Sequence, residues 1–507
     1  MKTLLIERNR YFDSVFLMRI SAELELLDGI DQAVVAMATP VNVENLEKSG
    51  FELSSANLSP ADLVIAIDAH TDEVVGTART KLKELLAGGT DTDDAATQRP
   101  ATLEGALRID PNANLALISV PGMHAAREAR NALRRGLHVM LFSDNVSVED
   151  EIALKDEAVA RGLLLMGPDC GTAILNGAPL GFANVCRRGS IGIVGASGTG
   201  IQEISSLIHQ QGGGISQAIG TGGRDLSAEV GARMTRFGIE ALAVDPTTEV
   251  IVVVSKAPAA CVIPGILETL KDSGKPCVVQ FVGWNPDLAD PAWLEFPAQF
   301  ASTLAEAARL AIHEAKLESL SQVSAVQKLP QVDGAVLGLF CGGTLCQEAW
   351  SILSQAGWDV VSNVAFDPEK KVRADAEVTG HAVWDLGDDM FTVGKPHPMI
   401  EPSLRDEKVA AAGEDPSIGL VLVDCVIGYG AHEDPGLSLA AAARSAIRAA
   451  EGVGRKLRVL ASVTGTDEDP QVRRKQQQVL EAAGVIVAPS NDAAARLAIQ
   501  MTQGVGA

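Results

Sequence analysis

The chain has 507 residues, of which 47% are hydrophobic and 4% aromatic, and glycine occurs 48 times. Its formal charge of −23 excludes nucleic acids and anionic membranes as binding partners, because both carry negative charge themselves. No apolar run approaches the roughly 18 residues that a membrane span requires.

The N-terminal stretch meets charged residues too early for a signal peptide, and the seven cysteines lack the spacing of a disulfide framework or a zinc site. We therefore expect a cytoplasmic protein with no bound metal. Because the chain is acidic, a small anionic substrate would need a locally positive pocket made of backbone N–H groups and a few cations.

The length predicts roughly three or four domains, and the composition is typical of α/β folds. Residues 1–100 alternate strands and helices and end in an acidic linker, and residues 101–189 show the strand–helix succession of a parallel sheet. A similar unit then occurs in residues 190–318 and again in residues 333–507, with a connector at residues 319–332. Strands are predicted at 34–38, 63–67, 115–120, 138–142, 163–166, 250–254, 277–281, 419–423 and 459–463, and helices at 79–86, 125–133, 147–161 and 304–317.

Each of the two similar units begins with a glycine-rich turn between an apolar strand and a helix. The first turn lies in residues 192–203 and the second in residues 338–348, and their Gly-Thr and Gln-Glu pairs match at one constant offset. The apolar residues that follow at helical spacing are Ile201, Ile204 and Ile208 in the first copy and Leu345, Ala349 and Leu353 in the second.

A helix that starts in such a turn directs several N–H groups and the positive end of its dipole at one point, which suits a phosphate. The residues predicted to bind phosphate are Ser197, Gly198, Thr199, Gly342, Gly343 and Thr344. The structural alternative is that glycine only tightens the turn and that the hydroxyls cap the helices. One such motif is weak, but two copies at a fixed offset favour a paired site in which both helix starts face one anion.

Other candidates lie in loops. Asn145 and Asp169 follow predicted parallel strands at the edge where such sheets bind ligands, so we assign them, with Lys395, to substrate binding. Arg224 follows two glycines and Lys256 follows a buried strand, and either could neutralise an oxyanion.

His397 lies between two prolines, so a rigid loop could hold it as a hydrogen-bond donor or general acid. The predicted catalytic residues are therefore His397, Lys256 and Arg224, against the alternatives of a structural histidine and solvated cations. Asp385, Asp388 and Asp389 could bind Mg²⁺, but capping and surface roles are favoured. Cys170 has no basic neighbour in sequence, which favours a packing role over a nucleophilic one.

Residues 112–315 resemble the α subunit of succinyl-CoA synthetase, and residues 333–507 resemble the CoA-ligase half of its β subunit. Nearly the whole chain is similar to the FdrA family, which is described broadly as acyl-CoA synthetases. The stretches that carry this resemblance are residues 140–145, 166–172, 195–203, 222–227, 385–389, 396–400 and 463–466. The resemblance implies an α/β fold, with a Rossmann-like domain of the CoA-binding type over 101–189 followed by two flavodoxin-like CoA-ligase domains with parallel sheets over 190–318 and 333–507.

In succinyl-CoA synthetases the two glycine-turn helices converge on a phosphorylated histidine, but this chain departs from that pattern. The stretch Val282–Asp287 has no histidine where the family has a Gly-His-Ala-Gly loop, and residues 1–60 lack the family's glycine-rich CoA loop. No ATP-grasp counterpart is recognisable. We therefore predict no certain cofactor, treat CoA and ATP with Mg²⁺ as doubtful, and expect phosphate or an acyl phosphate as substrate.

The expected function is acyl or carbamoyl transfer to or from phosphate. Because FdrA proteins are associated with oxamate carbamoyltransferase, the first choice is conversion of oxalurate and phosphate to oxamate and carbamoyl phosphate. One alternative is an acyl-CoA synthetase of the succinate–CoA ligase type with a separate ATP-grasp partner. Another is a non-catalytic scaffold that binds phosphate or a metabolite. The resemblance also implies separately encoded partner subunits and an oligomer.

Overall fold

A computed structural model of the chain describes residues 102–283, 296–318, 330–373, 378–392 and 396–502, most of residues 2–88, and single residues between these ranges. Lys395, most of the predicted linker and connector, and residues 284–287 lie outside the described residues. The chain divides into two compact units, the first formed by residues 1–102 and 392–396, and the second by residues 103–391 and 397–507. None of the described helices combines the length and apolar character needed to cross a bilayer.

The first unit contains a three-stranded antiparallel sheet in the order β1-β3-β2. Its elements are β1 (Lys2–Glu7), α1 (Ser14–Glu25), β2 (Ile30–Met37), β3 (Leu63–Ala69) and α2 (Asp72–Gly88). β3 is the central strand and is buried along nearly its whole length, whereas β2 alternates buried and partly exposed residues. The predicted strands and helix of this segment coincide with β2, β3 and α2.

The second unit begins with a small parallel sheet in the order β4-β5-β6, as the Rossmann-like prediction requires. Its elements are α3 (Leu103–Ile109), β4 (Leu115–Ile118), α4 (Gly122–Arg134), β5 (His138–Leu141), α5 (Val148–Ala160) and β6 (Leu165–Met166). The hydroxyl of Ser147 accepts a hydrogen bond from the Asp150 N–H at 3.1 Å, which caps α5 where its predicted helix begins.

A seven-stranded sheet follows, in the order β13-β12-β11-β9-β10-β7-β8. Its strands are β7 (Thr172–Leu175), β8 (Ala178–Gly181), β9 (Arg188–Ala196), β10 (Ile215–Gly220), β11 (Val250–Ser255), β12 (Cys277–Phe281) and β13 (Ala298–Ala301). Its helices are α6 (Gly198–Gln210), α7 (Arg233–Val244), α8 (Ile263–Asp272) and α9 (Leu304–Glu314), with a 3-10 turn at Ala260–Val262. The five parallel strands from β9 to β13 have the strand order of flavodoxin, and β7 and β8 form an added antiparallel hairpin.

The last sheet has six parallel strands in the order β15-β16-β14-β17-β18-β19. Its strands are β14 (Ala335–Phe340), β15 (Val360–Ser362), β16 (His381–Asp385), β17 (Ile418–Val426), β18 (Arg458–Thr464) and β19 (Ile486–Ala488). Its helices are α10 (Gly343–Gln355), α11 (Asp389–Thr392), α12 (Ser403–Ala411), α13 (Pro435–Gly452), α14 (Arg473–Ala482) and α15 (Asn491–Thr502), with a 3-10 turn at Pro368–Lys370. Without the extra edge strand β15, the order is again that of flavodoxin, so the predicted fold class is confirmed.

The helices that follow the two glycine turns, α6 and α10, pack in one shared core. All six apolar residues that define their predicted helical spacing belong to this core, namely Ile201, Ile204, Ile208, Leu345, Ala349 and Leu353. Residues 200–209 of α6 and 344–353 of α10 are all buried. The two flavodoxin-like units have separate sheets, and the packing of α6 and α10 in one core joins the units.

Two buried glutamates connect the flavodoxin-like units. Glu348 of α10 accepts hydrogen bonds from the N–H of Leu304, at the start of α9, and from Asn491 Nδ2, both at 2.7 Å. Glu203 of α6 accepts the N–H of Asn491, at the start of α15, at 3.1 Å. Each unit thus supplies the carboxyl group that caps the closing helix of the other unit. Burial raises the pKa of Glu203 and raises that of Glu348 to about 8.

Glu348 makes the stability of the chain depend on pH. Its folded pKa of about 8 lies above the ordinary value of 4.5, so the folded chain retains a proton that the unfolded chain has lost. This stabilisation is fully present below the ordinary pKa and is lost as pH rises through the folded pKa, with a slope of up to about 1.4 kcal/mol per pH unit. The free energy of unfolding in urea should therefore fall across this pH window for the wild type, and it should fall less for Glu348→Gln.

The matched control is Glu451→Gln, because Glu451 is exposed on α13. This variant should keep the wild-type slope. Equal slopes for Glu348→Gln and the wild type would contradict the assignment of the proton to Glu348.

Candidate active site

The two glycine turns meet in the second compact unit. Ser197, which precedes α6, and Thr344, in the first turn of α10, are hydrogen-bonded through their hydroxyls at 2.7 Å. A Cβ on Gly342 would lie 3.0 Å from Thr199 Cγ2, so the two turns are also in van der Waals contact. The convergence that the sequence could only suggest is therefore present within this one chain.

The backbone N–H groups at the two turns have different partners. In the first turn the hydroxyl of Ser197 accepts the Gly200 N–H at 3.0 Å. In the second turn the carboxylate of Asp424 accepts the N–H groups of Cys341 and Gly342, each at 2.7 Å. The predicted use of the Gly342 N–H for phosphate therefore needs correction, because a buried protein carboxylate already occupies it.

Asp424 was not predicted, although a charged residue within the apolar strand β17 is a signal that could have identified it. Burial raises its pKa, and the two amide hydrogen bonds and Arg405 oppose that rise. Arg405, itself buried, donates to the carbonyl of Asp424 at 3.2 Å. Asp424 and Arg405 together hold the backbone of the second turn in place.

The first amides of each helix have no acceptor within the helix itself. In α6 these are the N–H groups of Gly198 and Thr199, and in α10 those of Gly343 and Thr344. Because the two helices start beside each other, their positive dipole ends act on the same small volume. This arrangement can hold a compact anion such as phosphate.

Lys256 and Asp385 lie against the second helix start. A Cβ on Gly343 would lie 2.4 Å from Asp385 Oδ2 and 3.2 Å from Lys256 Nζ, so only a glycine leaves room for both side chains. Lys256 directly follows β11, where the sheet reverses its strand order, and Asp385 ends β16. Lys256 therefore lies close enough to the helix starts to balance an anion there, and its catalytic role stays a prediction.

Two carboxyl groups in this region titrate near neutral pH. Burial raises the pKa of Asp385 to about 6, against the opposing charge of Lys256 and a hydrogen bond from the Gly387 N–H. Loss of hydration also raises the pKa of Asp169 to about 6, although part of that residue remains exposed, and Lys256 again opposes the rise. Both carboxyls therefore lie within the electrostatic reach of one lysine.

His397 and Asp385 both lie near Gly387, whose N–H group donates to Asp385 Oδ1 at 2.9 Å. A Cβ on Gly387 would lie 2.4 Å from His397 Nε2. Nδ1 of the ring accepts the Met399 N–H at 3.2 Å, so the neutral ring carries its proton on Nε2. Burial lowers the pKa of His397 to about 4. At neutral pH it can donate a hydrogen bond from Nε2, and its catalytic role stays a prediction.

The remaining predicted site residues are less central. The guanidinium of Arg224 pairs with the buried carboxylate of Glu151 at 2.9 Å and donates to the carbonyl of Val146 at 2.7 Å. These contacts favour an anchoring role over a catalytic one. Asn145 is exposed and has a left-handed backbone, with φ of 54°. The Asp169 N–H donates to the carbonyl of Ser143 at 3.0 Å, which joins the two loops that were predicted to bind substrate.

Over the part of the chain that the structure describes, the geometry supports neither a nucleophilic role for Cys170 nor a metal site. Burial raises the pKa of Cys170 to about 12, which agrees with its predicted packing role. Among the described residues, no three His, Cys, Asp or Glu side chains come together in a way that could hold a metal ion.

Three protein-family descriptions match parts of the chain. CoA-ligase matches residues 339–501, CoA binding domain matches residues 187–283, and AllF, heavy metal-associated domain matches residues 1–101. The CoA-ligase match covers most of the second flavodoxin-like unit, and the CoA-binding match covers most of the first.

Known proteins extend these matches. The uncharacterized protein YahF of Escherichia coli (strain K12) is 43% identical over 500 residues, which cover 96% of each chain. The α-2 subunit of a mitochondrial ADP-forming succinate–CoA ligase from Trichomonas vaginalis and the α subunit of the Aquifex aeolicus (strain VF5) enzyme are 32% and 33% identical over 153 residues. These alignments cover 29% of this chain and 48% and 49% of the two subunits, about half of their length.

The prediction that CoA and ATP are doubtful is wrong. It rested on the absence of the histidine loop, of one glycine-rich loop from residues 1–60 and of a recognisable ATP-grasp counterpart. The CoA-binding match nevertheless lies over residues 187–283, and a CoA-ligase match follows it. The similar α subunits belong to ADP-forming ligases. Within the CoA-binding match, the helix-start amides of Gly198 and Thr199 and the side chain of Lys256 fit a phosphate-bearing ligand.

The heavy metal that the third family description mentions does not fit this chain. Residues 1–101 contain no cysteine and only one histidine, His70. That imidazole is 2.9 Å from the carboxylate of Asp31 through Nε2. Soft metals require thiolate or several imidazole ligands, which this segment does not supply.

Gly343 provides a direct test of the anion site. Gly343→Ala should place a methyl group between Asp385 and Lys256 and weaken sulfate binding about 10- to 100-fold, the equivalent of one charged hydrogen bond. Calorimetric titration measures this affinity. Because alanine favours helix over glycine, the variant should remain folded.

Gly452→Ala is the control for that test, because a Cβ on Gly452 would meet nothing within 4 Å. Its sulfate affinity should match the wild type. If Gly343→Ala also binds sulfate normally, the anion is not held at these helix starts.

The raised pKa of Asp385 predicts that sulfate binding depends on pH. Sulfate keeps its charge in this range, and a carboxylate near the site repels it, so affinity should rise as pH falls through about 6 and Asp385 and Asp169 become neutral. Asp385→Asn should bind sulfate about tenfold more tightly than the wild type at alkaline pH. Its sulfate affinity should also depend less on pH, and the dependence that remains is attributed to Asp169. Asp272→Asn, an exposed control on α8, should change neither. An unchanged profile in Asp385→Asn would remove Asp385 from the site.

Proposed function

The chain belongs to the family of YahF and contains CoA-binding and CoA-ligase domains, and on that premise we propose that it is the CoA-ligase component of an acyl-CoA synthetase. Its reaction transfers the acyl group of an acyl phosphate to the thiol of CoA: the bond from the acyl carbon to sulfur forms as its bond to the phosphate oxygen breaks, and the reaction also runs in reverse. The observation that supports this most is the meeting of α6 and α10 at the Ser197–Thr344 hydrogen bond, with Lys256 beside it.

The two helix starts hold the phosphate of an acyl phosphate. The N–H groups of Gly198, Thr199, Gly343 and Thr344 donate to its oxygens, and Lys256 balances the charge that grows on the phosphate as it leaves. Donors that are already aligned need no reorganisation during the reaction, which is why such sites stabilise a transition state strongly. The site thus serves the phosphate end of the reaction.

Two further side chains act at the acyl end. His397, neutral at neutral pH, donates from Nε2 to the carbonyl oxygen of the acyl group. CoA, when bound, supplies the thiol for the acyl carbon. Asp385, whose pKa of about 6 lies close to neutral pH, accepts the proton that this thiol gives up.

A separate partner subunit supplies the nucleotide chemistry. The stretch Val282–Asp287 has no histidine to carry a phosphoryl group, so activation of the acid by ATP requires groups that this stretch does not provide. The similar succinate–CoA ligase proteins are named as subunits, which agrees with a divided enzyme. We accordingly propose that the chain works in a hetero-oligomer, with the cytoplasm as its expected location.

Carbamoyl transfer between oxalurate and phosphate is the second candidate. The comparisons do not support it over the ligase function. The observation in its favour is the match of residues 1–101 to an AllF domain, together with the absence of the histidine carrier. Both reactions would use the same phosphate site, so they differ only in the acyl group and its acceptor.

The reaction can be tested without the partner subunit. The chain alone, given CoA and a panel of acyl phosphates, should form a thioester and release phosphate, measured by thioester absorbance and phosphate assay. Lys256→Gln should lower kcat/KM about 100-fold, because a site charge that stabilises the leaving phosphate is lost. Lys271→Gln, an exposed lysine on α8, should have no effect.

A different result would favour the second candidate function. Phosphate-dependent formation of carbamoyl phosphate from oxalurate, with no thioester from any acyl phosphate, would replace the proposed function by the second candidate.

A further inference from the structure

A polar cavity lies at the opposite end of α6 from the candidate active site. It has a volume of about 600 Å³ and is formed between the two flavodoxin-like units. Its polar lining consists mainly of Arg187, His209, Arg473, Arg474 and Gln477. This volume is within the range of small-molecule sites.

The cavity concentrates positive charge in a strongly acidic protein. Arg187 donates to the carbonyl groups of His209 and Gly213 at 3.1 and 2.9 Å, and Arg473 donates to those of Val463 and Pro489 at 3.2 and 3.4 Å. In the described part of the chain, neither guanidinium has a carboxylate within ion-pair distance. Both guanidinium groups are therefore held in place by carbonyl oxygens and not by ion pairs.

The other groups of the lining leave this surplus intact. Arg474 is paired with Asp467 at 2.8 Å, so these two charges offset each other. The helix α14 starts at Arg473 with its positive dipole end, and α6 ends at Gln210 with its negative dipole end, so the two helix dipoles largely offset each other here. Gln210 donates to the carbonyl of Gly465 at 2.8 Å, while its buried Oε1 has no hydrogen-bond partner among the described residues.

The cavity is separate from the candidate active site. The 13 residues of α6 span about 20 Å between the two. Residues 200–209 are buried along that length, so packed core lies between the two sites and no channel follows the helix. A ligand in this cavity cannot reach the reacting groups.

We propose that this cavity binds a phosphorylated metabolite with at least two negative charges, as an effector distinct from the substrates. Arg187 and Arg473 supply the positive charge for the phosphate groups. The apolar side of the cavity, formed by Val487, Ala488 and Pro489, accommodates the remainder of the molecule. This proposal does not depend on the reaction assigned above.

Pyrophosphate is the probe, titrated calorimetrically into the full chain. Gln477→Glu adds a negative charge to the lining, and no hydrogen bond of the Gln477 side chain occurs among the described residues, so the fold should be unaffected. We expect one component of pyrophosphate binding to weaken about tenfold or more, because like charges at this separation repel. Added salt should weaken the same component.

Gln478→Glu is the matched control, because Gln478 is the exposed neighbour of Gln477 on α14 and does not line the cavity. Its pyrophosphate binding should equal that of the wild type. The proposal is overturned if the wild type has no component that Gln477→Glu weakens, or if Gln478→Glu weakens it equally.

Discussion

The structure depends on the reciprocal capping of two helices by Glu203 and Glu348. Each carboxyl group is buried and accepts an N–H group at the start of a closing helix in the other unit, with Asn491 in contact with both. Because a buried carboxyl needs such partners, α6 and α10 cannot slide past one another without leaving a polar group unpaired. The position of the glycine turns follows from this contact deep in the core.

The same contact creates an electrostatic difficulty at the starts of the two helices. Two positive helix ends face one another and would repel if nothing negative lay near them. Asp424 binds two amides of the second turn, and Asp385 and Asp169 lie around Lys256. The chain thus neutralises its own helix ends before any substrate arrives. A bound phosphate has to share this region with carboxyl groups that can take up protons.

Sequence reasoning reached the duplicated units because their evidence is local: glycine turns, helical spacing and strand order are all readable along the chain. It also singled out Lys256 and His397 from short motifs. The role of Asp424, the capping by Glu348 and the anchoring of Arg224 depend on partners distant in sequence, which no local pattern reports. The doubt about CoA failed for a different reason, because the absence of one familiar loop does not exclude binding elsewhere in the fold.

Reciprocal capping also limits how such a protein can be divided into pieces. Either flavodoxin-like unit expressed by itself would have a closing helix whose first N–H group has lost its carboxyl acceptor, and a glutamate whose partners are missing. Halves encoded by separate genes would be stable only once they associate, whereas one continuous chain keeps the two partners permanently at high local concentration. Fusion of the two units into one chain therefore removes a subunit-assembly step that a two-chain arrangement would require.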